Sequence, residues 1–261
     1  MPVVRRMMLL TLLAWIAGCM PARPEANASV LTIDTDGSRQ NILVLAPTVA
    51  PVAAVVMFPG GDGSIGIGAD GRIARAGNFL IRTRDAWLRQ GFLFVAVDAA
   101  ASRAGRPGDR VGPANLRAIA AIVQAVRQRS SAPIWLLGTS AGAPAAVAGA
   151  ASLPPGSIRG VVISSPVSVA GPRDSVFDVQ LDRISVPVLI QIHRHDGCQL
   201  TPPENAALIK AALRSAPAVE VQAFSGGSWP RSTPCEAFAQ HGFYGIENTV
   251  VDAAAAWIRT H

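Results

Sequence analysis

The five residues Gly138-Thr139-Ser140-Ala141-Gly142 place one hydroxyl between two glycines. They follow the apolar run Ile134-Trp135-Leu136-Leu137 and precede a run of small residues ending at Ala151. A strand, a sharp turn and a helix in that order lift a serine hydroxyl out of the sheet edge. Gly138 and Gly142 leave room for strand and helix to pack closely. The helix N-terminus behind Ser140 offers a backbone N–H and a positive dipole end to a developing negative charge. In isolation the same residues also describe a small-residue turn with an inert serine. A serine hydroxyl attacks well only when a neighbouring base takes its proton. The bases on offer are His193, His195, His241 and His261. A carboxylate to orient that base is available, downstream of Ser140 and ahead of His241, at Asp174, Asp178, Asp182, Asp196, Glu204, Glu220 or Glu236.

The elements that must position these groups are legible as short apolar runs alternating with helix-period segments. Strand-like runs are Val30–Ile33, Ile42–Ala46, Ala54–Phe58, Phe92–Val97, Ile134–Leu137, Val161–Ser164, Val186–Ile192 and Val219–Ala223. Helix-like segments are Arg82–Gln90, Ala114–Gln128, Ala141–Ala151, Pro203–Ser215 and Asn248–Arg259. Asp36-Gly37 suits a hairpin turn between the first two runs. From Ala54 onward the alternation predicts an α/β protein, with a mostly parallel sheet covered on both faces. There is no internal repeat and no linker after residue 28, so residues 29–261 read as one domain.

Composition narrows the class. Half of the 261 residues are hydrophobic and 15% are charged, which excludes wholesale disorder. No apolar run beyond the N-terminus approaches the roughly 18 residues of a spanning helix. The net charge of +6 comes from scattered arginines, with Lys210 the sole lysine, and aromatics are only 5%. Neither a basic stripe nor a stacking array is present, so no nucleic-acid partner is expected. No obligate protein partner is evident either.

The N-terminus reads as an address. Arg5-Arg6 precede an apolar run from Met7 to Ala17, the pattern of a secretory signal. Ile16-Ala17-Gly18-Cys19 resembles the bacterial lipobox, in which the cysteine is lipidated and becomes the first residue of the mature protein. The resemblance implies a signal peptide over residues 1–18, a lipid anchor on Cys19, and a tether over residues 19–28. Multiple acyl chains give stable membrane anchoring. Met20 stands where the inner-membrane retention signal of such proteins usually has Asp, which points to the outer membrane, facing the periplasm. A soluble periplasmic or secreted form is the alternative. Setting Cys19 aside leaves Cys198 and Cys235. In an oxidising compartment this even pair is a disulfide candidate, the alternative being two unrelated buried thiols.

Four stretches, in order, resemble the α/β-hydrolase superfamily, over nearly all of residues 28–261. Phe58-Pro59-Gly60-Gly61 ends a strand where that family places its oxyanion loop. Ser140 stands at its nucleophile elbow. Val186 to Asp196 resembles the strand that ends in the catalytic acid, and Gln240-His241-Gly242-Phe243 the late loop carrying the base. Two departures concern subfamily and substrate. Pro59 stands where the family often has His, and His193-Arg194-His195 where it often has a Gly ahead of the acid.

The resemblance implies an eight-stranded sheet and the chain order nucleophile, acid, base. In that order His193 and His195 come at or before the acid, and His261 is terminal, which leaves His241. Asp196 alone among the carboxylates follows the end of a core strand, where open α/β sheets carry their functional groups. Oxyanion donors are expected at the N–H of Ala141 and of Gly61, with Asp62 next. Cys198 lies two residues after Asp196 and Cys235 six before His241, so loops converging on Ser140 would bring the pair together.

About 21 residues separate Ser165 from Val186, too few for a multi-helix cap. The expected site is therefore open, suited to short or exposed acyl esters; a lid would have to come from Ser64–Arg82. Gly60–Gly71 reads as a mobile loop at its edge. The expectation is a serine esterase with a Ser140–His241–Asp196 triad, requiring no metal or organic cofactor; amides and thioesters use the same machinery. Other readings are a dinucleotide-binding loop at Gly61–Gly66, a metal site at His193-Arg194-His195-Asp196, and a non-catalytic envelope binding protein of the same fold.

Overall fold

A computed structural model describes residues 27–100, 104–106, 108–171 and 173–261. The signal read over residues 1–18, Cys19 and most of the tether lie outside the described residues. β1 (Asn27–Thr35) and β2 (Ser38–Ala46) form a hairpin in the register Thr35↔Ser38. Asp36 and Gly37 between them both have positive φ, at 54° and 74°. That is the pair a two-residue turn needs to match the strand twist.

Strands and helices then alternate: β3 (Ala54–Phe58), α1 (Phe79–Arg82), α2 (Arg84–Arg89), β4 (Leu93–Val97), α3 (Pro113–Arg127), β5 (Ile134–Thr139), α4 (Ala143–Ser152), β6 (Gly160–Ser164), β7 (Val188–His193), α5 (Asn205–Ala212), β8 (Val219–Phe224) and α6 (Glu247–Thr260). The strands form one eight-stranded sheet in the order β1-β2-β4-β3-β5-β6-β7-β8. β2 pairs antiparallel with β1 and β4, and every other pair is parallel.

The central strands β3, β4, β5 and β6 are buried at every position because both faces of the sheet are covered. Successive side chains alternate between faces. Ala54, Val56 and Phe58 of β3 therefore join Ile122 of α3 and Ala146 of α4 in one layer. Val55 and Met57 join Leu80 of α1, Trp87 of α2 and Trp257 of α6 in the other. No helix among the described residues is long and apolar enough to cross a membrane.

Two details differ from the sequence reading. The helix expected over Arg82–Gln90 is α2, Arg84–Arg89, and a separate short helix, α1, precedes it and ends at Thr83. The Thr83 hydroxyl donates back to the carbonyls of Phe79 (2.9 Å) and Leu80 (3.1 Å), an alternative to regular helix bonding. Gly60–Gly71, expected as a mobile loop, is laced down instead. The Asp98 carboxylate, just past β4, accepts the N–H groups of Ile65 (2.7 Å), Gly66 (3.2 Å) and Ile67 (2.8 Å).

Between β6 and β7 the described chain holds only two short 3-10 turns, Val176–Asp178 and Leu181–Arg183. Among the described residues no large cap covers the strand ends. At the end of β5 the chain turns through Ser140–Gly142 into α4. A Cβ on Gly142 would overlap the carbonyl of Phe58, and one on Gly138 would lie 2.5 Å from the carbonyl of Gly142. Gly142→Ala is expected to cost about 3 kcal/mol, the upper range for overpacking. Gly171→Ala, where a Cβ meets nothing, is expected to stay within about 0.5 kcal/mol. Urea unfolding midpoints of the two variants check this pair.

Candidate functional site

The C-terminal ends of β3, β5, β7 and β8 and the loops after them gather the predicted residues at one edge of the sheet. Ser140 has φ 54°, a left-handed backbone that a non-glycine residue avoids. Such a conformation costs on the order of 1–3 kcal/mol and persists only where surrounding structure imposes it. Here Gly138 and Gly142 admit the close strand and helix backbones that impose it.

His241 sits in a 3-10 turn, Gln240–Gly242, between β8 and α6. Ser140 and His241 line the same cavity, of about 410 Å³. The Nδ1 of His241 is 2.9 Å from Oδ2 of Asp196, and both side chains are almost fully buried. A carboxylate can only accept, so Nδ1 carries the proton and Nε2 keeps its lone pair. Asp196 is held in turn. Its Oδ1 accepts the N–H of Cys198 (3.0 Å), and its Oδ2 also accepts the hydroxyl of Thr201 (2.9 Å). The Thr201 oxygen is itself 3.1 Å from Nδ1 of His241.

The backbone of the His241 loop is clamped from three sides. The Ser165 hydroxyl, at the end of β6, donates to the carbonyl of His241 at 2.9 Å. Arg82 donates to the carbonyls of Gly242 (2.6 Å) and Gly77 (2.8 Å) and pairs with Glu247 at 3.0 Å. Burial holds the Arg82 guanidinium below the usual arginine range, with Glu247 opposing. Phe243 is fully buried, with its ring 5.0 Å from that of Phe79 and 5.9 Å from that of Phe224. Ser165 and Phe243 also have positive φ, at 42° and 56°. Three of the four strained non-glycine residues among the described residues thus lie around this site, which is where functional constraint concentrates them.

Gly61 and Ala141 border one small recess beside the cavity. Ala141 follows Ser140 at the start of the turn into α4, and Gly61 follows β3. Sequence reasoning missed Thr201, Ser165 and Arg82. Nothing in their local sequence distinguishes them, because each acts through a contact distant along the chain. The Gly61–Gly66 motif leads into a loop, with the first helix beginning only at Phe79. His193 is buried, with Nε2 3.0 Å from the carbonyl of Gly226 and Nδ1 accepting the N–H of His195 at 3.1 Å.

Cys198 and Cys235 are joined in a disulfide across 37 residues. Cys198 lies two residues after Asp196, and Cys235 lines the cavity. Cross-linking a loop of this length stabilises by up to about 4 kcal/mol through lost freedom of the unfolded chain. The double variant Cys198→Ser/Cys235→Ser is expected to lose most of that. The corresponding fall in Tm, by scanning calorimetry, is about 8–15 °C.

No family model matches the chain, and no curated protein matches it in sequence. Solved structures do. Est1E from Butyrivibrio proteoclasticus superimposes with a TM-score of 0.60 at 13% identity, covering 88% of this chain and 97% of its own. A dienelactone hydrolase from Anabaena variabilis gives 0.61 at 12%, covering 91% and 99%. An alpha-beta serine hydrolase homologue from Coxiella burnetii gives 0.62 at 17%, covering 87% and 96%. At these identities the likeness is one of architecture, over nearly the whole length of each protein. With the strand order and the elbow turn described above, it establishes that the chain has the α/β-hydrolase fold.

Proposed function

We propose that the protein is a serine hydrolase that cleaves carboxylic esters through an acyl-enzyme. One observation carries this reading. A strained Ser140 faces the same cavity as His241, whose far nitrogen is bonded to the buried carboxylate of Asp196.

In the proposed reaction Ser140 Oγ attacks the ester carbonyl while Nε2 of His241 takes its proton. The carbonyl oxygen becomes an oxyanion, held by the N–H groups of Ala141 and Gly61. Asp196 stabilises the imidazolium. Collapse of the tetrahedral intermediate expels the alcohol, which takes the proton from His241. Water then repeats the sequence on the acyl-enzyme and releases the acid.

The cavity walls support a small substrate. Ile65, Phe79 and Phe238 give it apolar sides, while Asp62, Arg75 and Glu236 sit at its rim. No cap among the described residues seals it, so we read the substrate as a short acyl ester or the exposed ester of a larger molecule. The N-terminal residues add a proposed location, the cell envelope, through a lipid on Cys19.

A fluorophosphonate probe tests the chemistry without a guess at substrate. Intact mass should show one adduct on the wild type and none on Ser140→Ala or His241→Ala. Asp196→Asn should slow labelling on the order of 10³–10⁴-fold, because the imidazole is left in the wrong tautomer. No adduct on folded, disulfide-bonded wild type would overturn the proposal. The location has its own test in the producing bacterium: Cys19→Ser should move the protein from the detergent phase to the aqueous phase of a Triton X-114 partition.

A further inference from the structure

The loop after β3 must satisfy two opposed demands. It has to approach Ser140 closely: a Cβ on Gly60 would lie 3.0 Å from that of Ser140. Glycines permit the approach, but a run of them is the least rigid backbone a chain can make. An oxyanion donor works because it is already aimed, and a donor that must be reorganised loses that advantage.

Arg110 resolves the conflict from the side of the loop away from the cavity. Its guanidinium Nη2 donates to the carbonyl of Pro59 at 3.3 Å and to that of Gly61 at 3.2 Å. Arg173 adds a second donor to Gly61, at 3.1 Å. The carbonyl between these two, that of Gly60, accepts the N–H of Gly63 at 3.2 Å. Three consecutive peptide planes are therefore held by their carbonyls. In a planar trans peptide the N–H points opposite to the C=O. Engaging the carbonyl of Gly60 thus sets the direction of the Gly61 N–H, and the two neighbouring planes are fixed by the guanidinium.

The cation is itself firmly mounted. Arg110 is buried, and its own N–H donates to Asp174 at 2.8 Å. The other Asp174 oxygen accepts the N–H of Gly108 at 2.7 Å, and the carbonyl of Arg110 accepts from Asn115 at 2.7 Å. Asp109 lies 3.7 Å from Nε as counter-ion. Gly63 is required by the same arrangement, since a Cβ there would overlap the guanidinium. Lysine would not substitute, because Nη2 holds its two N–H donors in the fixed plane of the guanidinium, whereas the donors of an ammonium rotate freely on a flexible stem.

We propose that Arg110 is a positioning residue for the oxyanion hole, holding the Pro59–Gly61 peptides so that the Gly61 N–H stays aimed at the reacting carbonyl. It touches no substrate, and its role rests on the serine hydrolase reading. The test is the pH profile of the second-order rate of fluorophosphonate labelling for wild type, Arg110→Lys and Arg173→Ala. Fold is checked by near-ultraviolet circular dichroism. The phosphonyl oxygen occupies the oxyanion hole during labelling, so the plateau rate reports on it. The profile midpoint reports on the base.

For Arg110→Lys the plateau should fall about 30- to 100-fold, approaching the loss of one oxyanion donor, with the midpoint unchanged. Arg173→Ala, at an exposed residue sharing the Gly61 carbonyl, should show a smaller fall of the same form. A folded Arg110→Lys that labels at the wild-type rate would overturn the proposal alone, as would a fall accompanied by a shifted midpoint. If Arg110→Lys fails to fold, a wild-type rate in Arg173→Ala overturns it instead. An unlabelled wild type overturns the hydrolase reading and this inference with it.

Discussion

The close approach of β3, β5 and α4 around Ser140 is the constraint on which the rest of the site depends. Gly138 and Gly142 carry no side chain where one would collide with backbone. Their absence of bulk lets the chain reverse from strand to helix within three residues, and the reversal drives Ser140 into a left-handed conformation at φ 54°. The energetic cost is local, while the packing that imposes it is spread over the apolar layers on both faces of the sheet. A strained serine at a strand end is thus affordable because the sheet beneath it is rigid.

A second theme is that the loops above the sheet are mounted by buried polar groups. Asp98 gathers three amides of the glycine-rich loop, and Arg110 holds two of its carbonyls from behind. Arg82 and Ser165 hold the His241 loop by its carbonyls. Asp196 is fixed by Cys198 and Thr201 before it meets His241. Surface loops are otherwise the least stable parts of a domain. Here each is tied by charge-assisted or buried hydrogen bonds, the class that contributes most per bond. The disulfide between Cys198 and Cys235 adds a covalent tie between the Asp196 turn and the cavity wall.

The eight strands and the helices α3 to α6 were legible in the sequence because each signal is local. Apolar runs of buried strands, helical periodicity and the Asp36-Gly37 turn depend on neighbours along the chain. Ser140 was legible for the same reason, since strand, turn and helix are contiguous. His241 and Asp196 needed more. Their spacing from Ser140 carries no period, and only the resemblance to a known chain order selected them from four histidines and seven carboxylates. The short helix α1, which ends at Thr83, was not legible, because its end turns on which carbonyl a hydroxyl selects.

By itself, then, the sequence determined the alternating α/β plan, the strand–turn–helix at Ser140 and the pair Cys198 and Cys235 left to bond. Only the tertiary structure decided that Asp196 and His241 share a hydrogen bond at 2.9 Å and that Thr201 joins them. It alone placed Arg110 behind Gly61 and Arg82 behind Gly242. The physical reason is the range of the interactions. Propensity and periodicity act over a few residues. A buried guanidinium finds its carbonyls across 49 or 160 positions of chain, and no local pattern encodes that meeting.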